Sequence, residues 1–132
     1  MRERLEAQLD PAAGVEGDHY AGRNGPRQVS LIGRENLRAI ASFLGRDDVP
    51  PALLRRNFVI FGMNLLALKG RRFRLGAALL EWTGECHPCS RMETLLGPGG
   101  YNAVRGQGGM LARVLEPATV RVGDELVRGE WC

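Results

Sequence analysis

Glycine placement is the feature that most limits what this chain can become. The 132 residues include 18 glycines, and many fall in groups at 14–25, 97–100 and 106–109. A glycine interrupts helix and strand alike, yet accepts backbone angles that other residues avoid. Several short apolar stretches with glycine-rich joints favour short strands joined by tight turns over long helices. Glycine-rich turns also let backbone N–H groups approach an anion. Plain turn formation explains each group equally well.

Residues 1–13 read as a charged, weakly helical or disordered tail, because Glu3, Glu6, Asp10 and Pro11 interrupt any strand pattern. Residues 14–26 read as a loop. Residues 27–32 alternate partly between apolar and polar and predict a strand. Leu37, Ile40, Ala41 and Leu44 follow at helical spacing, with Gly45 as the stop. Asp47-Asp48 and Pro50-Pro51 turn the chain into a short helix ending near Arg55. The apolar run 58–61 suits a buried strand. Phe73, Leu75, Ala77 and Leu79 alternate with polar or small residues, which predicts one half-buried strand over 72–82. A short helix is expected over 89–96, with Met92, Leu95 and Leu96 inward, and another over 101–105. Strands over 110–115 and 119–122 would form a hairpin through Glu116-Pro117-Ala118. The fold class expected is mainly β with α insertions, a barrel over residues 14–127, with 128–132 as a C-terminal tail.

Composition narrows the function classes. The length suits one domain with a core of its own. The net charge is +3, and its basic residues occur as scattered pairs such as Arg55-Arg56 and Arg71-Arg72. Aromatic residues make up 6%. Neither feature is that of a nucleic-acid binder. No apolar run is long enough to span a membrane, and the first residues lack an apolar signal core, so a cytoplasmic protein is expected. Three cysteines, Cys86, Cys89 and Cys132, suit thiols in a reducing compartment.

Cys86-His87-Pro88-Cys89 follows an expected strand and opens an expected helix. A helix N-terminus and the nearby Arg91 both favour thiolate, the form that attacks sulfur or ligates a soft metal. Pro88 stiffens the approach to Cys89, which makes Cys89 the better presented thiol. Three other readings stay open. A thioredoxin-like dithiol uses this spacing, but next to a βαβ pattern. A zinc site wants two more ligands, and the only candidates, His19, His87 and Cys132, lack paired spacing, which argues against structural zinc. Two buried, inert cysteines are common.

Several ordered motifs go further. They are Gly17-Asp18-His19-Tyr20-Ala21-Gly22, Arg27-Gln28-Val29-Ser30-Leu31, Arg56-Asn57-Phe58, Gly62-Met63-Asn64-Leu65, Leu68-Lys69-Gly70 with Phe73, Cys86 to Glu93, and Gly99-Gly100-Tyr101-Asn102-Ala103. Together they resemble the MOSC domain, named for the C-terminal domain of molybdenum cofactor sulfurases, from about Gly14 to Asp124. The resemblance implies a β-barrel and one cysteine that carries sulfur or ligates molybdenum. That cysteine falls on Cys89, with Cys86 secondary. It also implies a bound molybdenum cofactor, molybdopterin, whose phosphate wants cations and whose pterin edge wants amides. Arg27, Arg56, Lys69 and Arg91 match the first need, and Gln28, Asn57 and Asn102 the second. His19 can bond a pterin or oxo group, or be an ordinary loop histidine. Arg91 and Glu93 can instead be solvated helix residues, which is the favoured reading for Glu93.

Some members of the family, with redox partners, reduce N-hydroxylated compounds. Others pass sulfur or cofactor without catalysis. Larger relatives carry a pyridoxal-phosphate desulfurase domain, which has no counterpart in this sequence. The partners implied are the cofactor and a separate redox or sulfur-donor protein. The barrel's first strand normally precedes the Gly-Asp-His loop, and residues 1–13 match it poorly. An open edge, or completion by a second copy as a homodimer, is the expectation there.

Overall fold

The computed structural model describes residues 6–12, 14–15, 28–50, 54, 56 and 58–131, the last four by their backbone. Among the described residues nine strands occur, β1 (Glu6–Asp10), β2 (Gly14–Val15), β3 (Val29–Gly33), β4 (Phe58–Ile60), β5 (Arg71–Leu75), β6 (Ala78–Glu85), β7 (Met110–Glu116), β8 (Ala118–Arg121) and β9 (Leu126–Trp131). Helices α1 (Arg34–Phe43), α2 (Ser90–Leu96) and α3 (Gly100–Val104) accompany a 3-10 turn at Leu65–Leu68. A six-stranded sheet runs β4-β3-β7-β6-β5-β9, and a three-stranded sheet runs β2-β1-β8. The larger sheet curls into a nearly closed barrel. Register shifts between β6 and β7 at Leu79/Leu80 and Trp82/Gly84 add the local twist that bends it.

Two cores result. The first lies inside the barrel, where Val29, Leu31, Phe73, Leu75, Ala78, Leu80, Met110, Ala112 and Val114 meet Leu9 and Val120 of the smaller sheet. The second lies outside it. There Ile32 of β3 packs with Leu37, Ile40 and Ala41 of α1, Met92 and Leu96 of α2, and Ala103 and Val104 of α3. Adjacent strand residues point to opposite faces, so Leu31 serves one core and Ile32 the other. All five residues of β3 are buried. Each large side chain removed from water contributes roughly 1.5–3 kcal/mol before entropy is counted.

Several expectations from sequence need correction. The expected single strand over 72–82 is two strands. Leu75 pairs directly with Ala78, leaving Gly76 and Ala77 as a two-residue turn, with Gly76 at φ +59°. The buried phase switches there, from Phe73 and Leu75 to Ala78 and Leu80. The expected hairpin through Pro117 is a corner instead. β7 pairs with β6 and β3, while β8 pairs with β1 in the other sheet. Proline offers no N–H to a ladder, so the chain changes sheet at that residue.

The expected N-terminal tail contains β1, the central strand of the smaller sheet, and most of 128–132 belongs to β9, paired with β5. The run 58–61 is not a buried strand, since β4 is an edge and Phe61 beyond it is 70% exposed. Leu95 also turns outward. Of the short helix near Arg55, only Leu54 and Arg56 lie within the described residues. Among the described residues no helix is long and apolar enough to cross a membrane.

Candidate functional site

The register brings several chain ends to one rim of the barrel. Glu85, the last residue of β6, pairs with Met110, the first of β7. Met110 pairs with Leu31 near the end of β3, and Gly33 pairs with Ile60 at the end of β4. Cys86, the glycine loop before β7, the first turn of α1 and Phe61-Gly62 therefore share that rim. Lys69 joins them, because it precedes β5, whose Arg72 pairs with Glu81 two strands from β3.

Cys86 is half-buried and anchored through its backbone. Its N–H donates to the Gly109 carbonyl at 2.9 Å, which carries the β6–β7 ladder one bond further. The glycine loop presses close on both sides. A Cβ at Gly108 would stand 2.2 Å from the Cys86 carbonyl oxygen, and one at Gly109 would stand 2.0 Å from the Leu31 carbonyl oxygen. Neither position has room for a side chain. Arg56 reaches the same loop. Its Nε donates to the Gly108 carbonyl at 2.7 Å, and Nη1 donates to the Leu54 carbonyl. These bonds set a guanidinium behind the loop that touches Cys86, and Nη2 is committed to neither.

Cys89 stands three residues on, exposed, as the residue preceding α2. Its carbonyl accepts from the Met92 N–H at 2.9 Å, and its side chain makes no capping hydrogen bond. Burial of Met92 and Leu96 pins α2 to the outer core. Glu93 locks α2 to α3. Its carboxylate accepts from the Gly99 N–H and the Tyr101 N–H, each at 3.0 Å. Those two bonds, Tyr101 first, hold the Glu93 carboxyl below the usual carboxylate range. Thus Glu93 is a clamp, not the merely solvated residue that the sequence pattern allows.

The first turn of α1 ties the rim loops together. Asn36 Oδ1 accepts from the Gly33 N–H at 3.0 Å, and Nδ2 donates to Gln107 Oε1 at 2.8 Å. Glu35 accepts from the Gly62 N–H at 3.0 Å. Its own backbone N–H, then that of Gly62, lower its carboxyl below the ordinary range, helped by the Arg38 and Arg34 charges. The Arg34 guanidinium carbon lies 5.3 Å from the centre of the exposed Phe61 ring. Sequence reasoning passes over Asn36, Glu35, Gln107 and Arg34. The one available signal is an amide three residues after a glycine at a helix start, which mimics a capping box.

The expected site residues thus divide. Cys86, Cys89, Arg56 and Lys69 gather at or beside the rim. Asn102 is exposed on α3, which leads into the glycine loop, and Arg91 is exposed in the first turn of α2. Gln28 is elsewhere. It is 1% exposed at the start of β3, away from the rim. Its Nε2 donates to the Pro11 carbonyl at 2.6 Å, and Oε1 accepts from the Val114 N–H at 2.8 Å. Its amide thereby joins the two sheets. His19, Arg27 and Asn57 lie outside the described residues. Among the described residues no three His, Cys, Asp or Glu side chains converge on one point as a metal cluster.

A sequence model of the MOSC domain matches residues 17–127. No curated protein matches the chain. Among solved structures, YuaD from Bacillus subtilis superposes with a TM-score of 0.84 at 24% identity, covering 98% of this chain and 87% of that one. YiiM from Escherichia coli gives 0.76 at 24% identity, covering 96% and 63%. YiiM from Geobacillus stearothermophilus gives 0.70 at 21% identity, covering 80% and 55%. The chain thus spans nearly all of YuaD but under two thirds of either YiiM chain. At these identities the likeness is one of fold.

Proposed function

Since the chain belongs to the MOSC domain family, by a match over residues 17–127, we propose that it binds the molybdenum cofactor at the barrel rim and meets it with the Cys89 thiol. One observation carries this reading. An exposed thiol stands three residues beyond Cys86, whose rim also carries glycine backbone, the Arg56 guanidinium and the exposed Lys69. A soft thiolate suits molybdenum or sulfur, and cations with close backbone N–H groups suit a phosphate. The donor set therefore fits the group. Arg56, Lys69 and Arg91 would hold its phosphate, Asn102 would meet the pterin edge, and Cys89 would be the one protein ligand to the metal. Cys86 is the nearer-buried second thiol. When bound, the cofactor supplies a metal centre able to change oxidation state. Reduction of an N-hydroxylated compound would then draw electrons from a separate redox protein.

A second reading is favoured by the exposure of Cys89 together with a second thiol three residues away. In it, Cys89 carries sulfur as a persulfide and passes it on without turnover, with a sulfur-donor protein as partner. Exchange of disulfides between Cys86 and Cys89 alone is the remaining alternative.

Metal analysis and intact mass spectrometry of protein made in a cofactor-competent host separate these readings. Molybdopterin with turnover of a hydroxylamine supports the first. A one-sulfur adduct on Cys89 without turnover supports the second. Cys89→Ser should abolish molybdenum retention, whereas Cys86→Ser should weaken it by a few-fold at most. Equal loss from both variants would point to a dithiol instead.

A further inference from the structure

We propose that Cys86 is the on-chain reductant that releases the sulfur carried by Cys89, a step that rests on the persulfide reading above. The outer sulfur of a persulfide is sulfane sulfur, and it needs two electrons to leave as sulfide. An adjacent thiol can supply them. Cys89 is exposed, open to a sulfur donor, while Cys86 is half-buried on the same irregular segment. That difference assigns the roles: Cys89 is loaded from outside, and Cys86 answers from within the chain.

The step balances. The Cys86 thiol attacks Sγ of Cys89, the Cys86–Cys89 disulfide forms, and the bond from Cys89 Sγ to the outer sulfur breaks. The electron pair and the Cys86 proton depart with that sulfur as hydrosulfide. Two cysteines are oxidised by two electrons and one sulfane sulfur is reduced by two. A small external dithiol then reduces the disulfide and resets the pair.

The backbone suits this division. Cys86 is held by the Gly109 carbonyl and hemmed in by Gly108. Cys89 has φ −130° and ψ 171°, outside the helical range, so drawing it toward Cys86 leaves residues 90–96 helical. Two intervening residues keep the Cα atoms within about 11 Å even when fully extended. A disulfide needs them at roughly 4.4–6.8 Å, so the irregular segment 86–89 has to bend at His87-Pro88 for the bond to form.

The test uses the full chain, reduced and then treated with inorganic polysulfide, with excess reagent removed. Intact mass and released sulfide are followed over time for wild type, Cys86→Ser and Cys89→Ser, each checked for folding by circular dichroism. Wild type should gain one sulfur and then lose it, ending two hydrogens lighter as hydrosulfide appears. Cys86→Ser should keep the added sulfur and release sulfide at least about tenfold more slowly. Cys89→Ser should gain none at this site. Loading followed by equal release from wild type and Cys86→Ser overturns the release step and leaves the persulfide reading standing. No added sulfur on Cys89 in either protein overturns both.

Discussion

Gly108 and Gly106 separate two reasons for needing glycine. At Gly108 the constraint is space, since a Cβ would lie 2.2 Å from the Cys86 carbonyl oxygen. At Gly106 it is backbone angle, with φ +75° and no heavy atom within 4 Å of where a Cβ would sit. Gly108→Ala should cost about 1–3 kcal/mol by overpacking, and should displace Cys86 with it. Gly106→Ala should cost about 1–2 kcal/mol and leave the cysteine segment in place. Urea unfolding gives the first comparison, and the rate of Cys86 alkylation gives the second.

Glu93 offers a pH test at the same scale. Its carboxyl is held below the ordinary value when folded, so its contribution is fully present above that value and lost as pH falls through the lowered one. Wild type should lose stability on acidification from about pH 4.3 downward more steeply than Glu93→Gln, measured by urea midpoints across that range. The cysteine pair is legible in the sequence because its spacing is local. The Glu93 clamp and the Asn36–Gln107 bond are not, because their partners are set by how α2 meets α3 and how α1 meets the glycine loop.

At the level of elements, Gln28 is the joint between the two sheets. Replacing it with leucine strands the Val114 N–H and the Pro11 carbonyl at once. Gln28→Leu should lower stability by about 2–3 kcal/mol, seen in chemical denaturation. Because Gln28 lies away from the rim, cofactor retention per folded molecule should stay at the wild-type level. Elements are legible wherever periodicity is strong, as in α1 and β7. The pattern misleads where a two-residue turn hides inside an alternating run. Gly76 reads as one more polar position, yet it reverses the chain and shifts the buried set from odd to even numbers. β1 escapes the pattern because a strand of EAQLD composition buries only Leu9 fully and owes its place to the partners β2 and β8.

At the scale of the whole molecule, β3 is a wall common to both cores. Leu31 faces the barrel interior and Ile32 faces the helices, each fully buried. Leu31→Ala and Ile32→Ala should each cost about 2–5 kcal/mol. Both should lower the midpoint seen by tryptophan fluorescence and by far-ultraviolet circular dichroism together, since one strand couples the two packings. Divergent midpoints would mean that the helical layer melts by itself. The same wall ends at the rim, where Gly109 rests against the Leu31 carbonyl. Whatever small molecule settles there would brace the strand on which both halves lean. Its arrival would register as a rise in melting temperature of the entire protein, so a dye-based thermal screen of pterins, thiols and phosphates reads ligand binding without any assay of turnover.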